Sequence, residues 1–168
     1  MSAKDAIRIV DFAPQWRADF ARLNLEWLDT HFVVEPIDRI VLLDPETHII
    51  LDPGGHILFA IDGDEHVVGT VALKRDSEGV YELTKMAVDP AKRGLGIGRQ
   101  LMLATLAVFE RRDGRELFLE SNRKFAPALH LYESVGFEHR PAPRPGSHYQ
   151  RADVCMVWRA PRRSGQDG

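Results

Sequence analysis

The segment from residue 80 to residue 109 constrains this chain more than any other. A β-rich run, Tyr81 to Val88, ends at Asp89-Pro90. The turn Arg93-Gly94-Leu95-Gly96-Ile97-Gly98 follows, and then a long apolar stretch to Phe109. Glycines at alternate positions free backbone N–H groups to converge on an anion at a helix N-terminus, where the helix dipole also favours negative charge. Two familiar loops do not fit. A P-loop ends Gly-Lys-Ser/Thr, whereas this turn ends Gly98-Arg99-Gln100. A Rossmann fingerprint needs a third glycine where Arg99 stands, and it opens a parallel βαβ unit. Here a run of hairpins precedes the turn.

That order is read from the change of period along the chain. Arg8 to Asp11 predict a first strand. Pro14 stands at a helix start, where its missing N–H costs nothing, and Trp16, Phe20, Leu23 and Trp27 share one helical face. Pro36 opens a second short helix that Pro45 breaks. Ile57–Ile61, Val67–Lys74 and Tyr81–Val88 predict an antiparallel meander, joined by Asp62-Gly63-Asp64 and Ser77-Glu78-Gly79. Glu116–Glu120 predict another strand, and Phe125 to Val135 a helix that Gly136 closes. Phe137–Arg140 and Val154–Arg159 predict the last two strands. The order β, α, α, β, β, β, α, β, α, β, β describes a mixed α/β sheet.

At 168 residues the chain amounts to about one domain, expected over residues 1–161 with a polar tail at 162–168. A net charge of −3 and an isoelectric point near 6.2 give no basic field to draw in nucleic acid or anionic lipid. The N-terminal residues lack the apolar core of a signal peptide. The longest uncharged stretch, Gln100 to Phe109, is about half of the ~20 residues a membrane span needs. Cys155 is the single cysteine. It excludes an internal disulfide, reads as a small buried hydrophobe and fits a reducing compartment. A cytoplasmic protein with neither nucleic acid nor membrane as partner is expected. The histidines lack H-E-x-x-H spacing and cysteine companions, so no metal is expected.

Two motifs together carry a resemblance. Arg93-Gly94-Leu95-Gly96-Ile97-Gly98 matches the pattern Gln/Arg-x-x-Gly-x-Gly/Ala of the GCN5-related N-acetyltransferases. The later segment Ala128-Leu129-His130-Leu131-Tyr132-Glu133-Ser134-Val135-Gly136-Phe137 resembles the family's downstream A-x-x-L-Y-E-x-x-G-F motif. The resemblance covers nearly the whole chain. It implies the acyl-CoA N-acyltransferase fold: a mostly antiparallel α/β sheet splayed between strands 4 and 5, flanked by about four helices, with acetyl-CoA in the V.

By that resemblance, the backbone of Met86, Ala87 and Val88 pairs with the pantetheine arm. The amides of Arg93, Gly94, Leu95, Gly96, Ile97, Gly98 and Arg99 hold the pyrophosphate, with the Arg99 guanidinium adding a charge-assisted contact. Asn122 matches a pantetheine-binding position; its other reading is a plain helix N-cap. Tyr132 matches the tyrosine that protonates the departing thiolate, a task that suits a phenol protonated at neutral pH; alternatively it is a core aromatic. Glu82 matches the general-base glutamate of the family's histone acetyltransferases, because an acceptor ammonium must lose a proton before it attacks; alternatively it is a solvated edge charge. Strand alternation puts Glu82 on one face with Thr84 and Met86, unless a bulge intervenes.

The acceptor is expected to be a small-molecule primary amine or an amino acid, attacking directly in a ternary complex. Its pocket is expected from residues 28–43 and 141–151, where Glu35, Arg39, His148 and Tyr149 are candidates and arginines such as Arg144 and Arg151 would clamp a carboxylate. Two other readings stay open: a non-catalytic acyl-CoA-binding or sensing domain, and a protein lysine or N-terminal acetyltransferase. A homodimer also stays open.

Overall fold

Why the sheet opens follows from how β4 is paired on its two sides. The computed structural model describes residues 6–51, 54–147 and 151–158; the expected tail at 162–168 and the candidates His148 and Tyr149 lie outside them. Seven strands run in the order β1-β2-β3-β4-β5-β7-β6. They are β1 (Arg8–Asp11), β2 (His56–Ile61), β3 (Val67–Ser77), β4 (Val80–Val88), β5 (Glu116–Ser121), β6 (Phe137–Arg140) and β7 (Val154–Trp158). All pairings are antiparallel except β4 with β5. That parallel pairing covers only Val80, Tyr81 and Glu82 against Glu116, Leu117 and Phe118. Beyond Glu82, β4 keeps its partner β3 and β5 keeps β7, but the two no longer pair with each other. The mixed sheet is therefore splayed between its fourth and fifth strands.

Helices cover both faces. α1 (Arg17–His31) follows a short 3₁₀ turn at Pro14–Trp16, and α2 (Pro36–Leu43) ends before Pro45. Phe20, Leu23 and Leu28 of α1 pack with Val41 and Leu42 of α2 against Ile57, Phe59 and Ile61 of β2. On the other face, α3 (Ile97–Arg111) packs Ile97, Leu101, Met102 and Phe109 against Leu58, Val71, Tyr81, Leu117 and Met156. Each such fully buried side chain contributes ~1.5–3 kcal/mol, and these two layers hold the halves of the sheet in place. α4 (Ala126–Ser134) ends through Val135 into Gly136, whose φ of 111° suits glycine. After Pro45, where the sequence assigned no element, a π-helical segment occupies Glu46–Leu51.

The meander contains a bulge. Thr70 pairs with Ala87 and Ala72 with Thr84, so Lys85 and Met86 together oppose Val71. Lys85 adopts a left-handed φ of 54°, rare for a residue with a Cβ. Alternation is broken here. Lys85 turns toward α2, while Met86 and Val88 pack on the α3 side. Glu82 and Met86 thus do not share a face.

Candidate active site

The splay leaves a cleft of about 920 Å³. One wall is β4, with Glu82, Thr84, Lys85, Met86, Ala87 and Val88; the other is the end of β5, with Glu120, Ser121 and Asn122. The N-terminus of α3 closes one end through Arg93, Gly94 and Gly96 to Arg99, and α4 contributes Tyr132. The fold thus assembles Glu82, Tyr132, Asn122, the β4 edge and most of the glycine turn in one cavity. Leu95 is the exception: it is 49% exposed and lies outside the cleft wall.

The α3 end is built for an anion. Gly96 is the N-cap, in the left-handed region at φ 75°, and no side chain caps the helix. The first-turn amides of a helix have no intrahelical partner and carry the positive end of its dipole. A Cβ at Gly94 or Gly96 would meet nothing within 4 Å, so the turn is an open cradle beside Lys92, Arg93 and Arg99. Arg99 donates to the Ser134 hydroxyl at 3.0 Å, which holds its side chain along α4.

At the vertex stands Glu82. Burial pushes its carboxyl up to about 7, and the Glu120 carboxylate adds to the rise; the Lys85 and Lys74 ammonium groups oppose it. A second, small cavity of about 30 Å³ lies on the far side of the vertex, sharing Glu82, Thr84, Lys85 and Glu120 with the cleft. Glu82 therefore faces both spaces. Burial likewise pushes the Tyr132 phenol up to about 12, with a hydrogen bond to the Ser121 side chain acting against it. Its hydroxyl stays protonated across the physiological range. Its ring also packs edge-on to Phe137, with centroids 6.3 Å apart, so the residue serves the core and the cleft together.

Asn122 is not the cap of α4, whose N-cap is Phe125. Its side chain accepts from the Lys124 amide at 3.0 Å and donates to the Arg151 carbonyl at 2.7 Å, which fastens the end of β5 to the segment before β7. Burial raises the Cys155 thiol above its ordinary value, as befits a core residue in β7.

The acceptor side differs from the sequence reading. Arg151 donates to Glu35 at 2.6 Å and to both oxygens of Asp38, at 2.8 and 3.1 Å, and Arg144 is bound to Glu116 at 3.1 Å. Both arginines are engaged by carboxylates of the chain itself, so neither is held ready for a substrate carboxylate. Glu35 is absorbed in the capping box of α2, and Arg39 is exposed on α2 away from the cleft.

Several neighbours of the cleft were not assigned a place in the site from the sequence. Lys85, in β4, has a side chain only 7% exposed and places its Nζ 3.7 Å from Asp38 Oδ1. Asp38 is fully buried. Burial alone would raise its carboxyl; hydrogen bonds from Arg151 and the Glu35 amide bring it below its ordinary value, with the charges of Arg151 and Lys85 helping. The signal available was Glu35-Pro36-Ile37-Asp38, an acidic pair at capping-box spacing. Across the mouth, Trp27, His31 and Phe32 meet Phe125 with ring centroids 4.9 to 5.5 Å apart. Lys124 stands over Phe32 at 3.9 Å and donates to the His31 carbonyl.

Comparison with known proteins agrees with this architecture. The sequence profile of the "Acetyltransferase (GNAT) family" matches residues 14–137. A mycothiol acetyltransferase from Thermomonospora curvata is 36% identical over 86 residues, covering 51% of this chain and 28% of that protein. The chain thus matches under a third of that relative's length. Among solved structures, a GNAT-family acetyltransferase from Staphylococcus aureus superposes with a TM-score of 0.81 at 22% identity, covering 91% of this chain and 98% of the other. The PaiA N-acetyltransferase of Thermoplasma acidophilum, in complex with coenzyme A, superposes with a TM-score of 0.71 at 16% identity, covering 92% and 99%. At these identities the two structures share the fold.

Proposed function

The chain belongs to the GNAT acetyltransferase family, and from that premise we propose that it is an acetyl-CoA-dependent N-acetyltransferase acting on a small primary amine. The observation that carries the reading is the placement of Glu82 at the vertex of a splayed sheet whose other end is an uncapped helix N-terminus.

The residues fit the cofactor. The open cradle at Gly94 and Gly96, with the α3 amides and Arg93, suits a pyrophosphate. The edge of β4 from Met86 to Val88 has no partner on the β5 side and offers backbone groups to an extended amide arm. When bound, acetyl-CoA supplies an activated thioester. Glu82, with a carboxyl near neutrality, accepts the proton of an incoming ammonium, directly or through a water held in the small cavity. Tyr132 keeps its hydroxyl proton and can give it to a leaving thiolate. Such a matched pair, one group tuned near 7 and one far above, is the distribution of roles that acid–base catalysis needs.

The acceptor reading follows from charge. Glu82 and Glu120 line the vertex, while Arg151 and Arg144 are held by the chain's own carboxylates. That balance favours a cationic amine over an acceptor gripped by its carboxylate, and a buried vertex favours a slender one. Glu82 and Tyr132 together speak against a pure acyl-CoA sensor, which needs neither.

The test is release of coenzyme A thiol from acetyl-CoA over a panel of amines, polyamines, amino acids and peptides, alongside calorimetric titration of acetyl-CoA. Amine-dependent release with a preference for small cationic amines is expected. Tight binding with no release on any amine would establish the sensor instead.

A further inference from the structure

Lys85 has no part in the chemistry described above, yet its side chain sits in the wall shared by both cavities. Ordinary strand alternation would have sent residue 85 into the α3-side core with Tyr81 and Leu83. The bulge and the left-handed backbone at Lys85 instead place its ammonium on the Glu82 side. Backbone of this kind costs on the order of 1–3 kcal/mol and persists where surrounding structure enforces it. Here the fully buried Asp38, itself locked by Arg151, receives the ammonium. The outcome is a primary amine fixed beside the candidate base, next in sequence to the β4 edge that the functional reading assigns to the acyl donor.

We propose that Lys85 is itself an acetyl acceptor: without a competing amine, its ε-nitrogen attacks the bound thioester and the chain acetylates itself in the cleft wall. The proposal rests on the acetyl-CoA reading of the cleft. In the reaction the C–N bond of an amide forms and the C–S bond of the thioester breaks. The ammonium gives one proton to Glu82; a second leaves the nitrogen as the amide forms and restores the Tyr132 phenol, whose own proton departs with the thiol. No further reactant is required. With its side chain 7% exposed, Lys85 is shielded from acyl donors in bulk solution. Lys124, by contrast, is exposed.

Acidity supports the geometry. Burial lowers the Lys85 ammonium to about 8, with Arg151 from the loop before β7 and Lys74 from β3 acting in the same direction; Asp38 from α2 and Glu82 from its own strand oppose them. The neutral, nucleophilic fraction therefore grows about tenfold per pH unit below that value and levels off above it. Acetylation removes the cation, leaving Asp38 with Arg151 and withdrawing from Glu82 a charge that favours its ionised form.

The experiment is intact-mass and peptide mapping of the purified chain after incubation with acetyl-CoA, without an amine, at pH 6, 7 and 8. Calorimetry on the same preparation measures acetyl-CoA binding. One acetyl group localised to Lys85, rising with pH, absent after Lys85→Arg and suppressed by an amine that is turned over, is the expected result. If acetyl-CoA binds but no acetyl group appears, or acetyl groups spread over Lys74, Lys92 and Lys124, the self-acetylation proposal fails while the cofactor reading stands. If acetyl-CoA does not bind, both fail.

Discussion

The guanidinium of Arg151 spans both oxygens of Asp38, at 2.8 and 3.1 Å, and so ties the segment before β7 to the first turn of α2. Glu35 shares that arginine, Lys85 approaches the same carboxylate, and Asn122 holds the Arg151 carbonyl. Three separate stretches of chain therefore meet at one fully buried carboxylate beneath the cleft, and Asn122 ties a fourth to the backbone of the arginine.

Asp38→Ala leaves the Arg151 and Lys85 cations facing a void. Breaking a buried pair by removing one partner costs ~3–5 kcal/mol, and urea denaturation measures that loss. Because the folded-state value of Asp38 is depressed, its contribution is complete above the ordinary carboxylate value and disappears only as pH falls through the lower folded value. The variant and the parent should converge in stability at strongly acid pH.

Glu82→Gln removes the proposed base and should lower kcat by ~10²–10⁴-fold. The parent's rate should rise with pH through a limb near 7, and the variant should lack that limb. Stability moves the other way. A carboxyl raised by burial destabilises the fold increasingly as pH climbs from its unfolded value to its folded one. The glutamine variant therefore gains about 1–3 kcal/mol over the parent above pH 7 and nothing below the unfolded value. Glu120→Gln takes away a neighbouring negative charge, so its limb should move to lower pH. A limb that stays in place would remove Glu120 from the electrostatics of the site.

Tyr132→Phe keeps the ring against Phe137 and discards only the hydroxyl. We expect kcat to fall at least about tenfold, with the KM for acetyl-CoA little changed, because the lost contact matters mainly as charge develops on sulfur. Its melting point should move by no more than ~1–2 kcal/mol would allow. Normal turnover with early melting would make Tyr132 a packing residue only.

Gly96→Asp puts a carboxylate where phosphates are expected and adds a Cβ at φ 75°. The left-handed conformation costs a non-glycine residue ~1–2 kcal/mol, and open space around the position spares it any clash. The fold should survive in circular dichroism while acetyl-CoA affinity is lost. Retained affinity in calorimetry would refute the placement of the pyrophosphate.

Strands, helices and the glycine turn were legible in the sequence because each follows from local pattern: period in α1, turn chemistry between the central strands, Gly136 after α4. The family resemblance singled out Glu82 and Tyr132, and the fold brings both to the cleft. What the sequence did not reveal depends on contacts between distant segments. No local signal says that Lys85 leaves the alternation of β4; the bulge is decided by what receives the side chain, and that is Asp38, far away in α2. The arginines before β7 looked ready for a ligand because the carboxylates that engage them lie elsewhere in the chain.

The short parallel joint between β4 and β5 also sets a gauge. Neighbouring paired strands stand ~4.7–4.9 Å apart, so the gap begins at one strand spacing beside Glu82 and widens toward the start of α3. A ligand lying in such a taper meets its narrowest cross-section at the reacting end. On the proposed reading, an acetyl group would reach the vertex, whereas a branched or long acyl chain would halt short of it, out of reach of Glu82. Donor choice would then be sorted by girth, with rates falling as the acyl group thickens, and the ruler is the pairing that stops at Glu82.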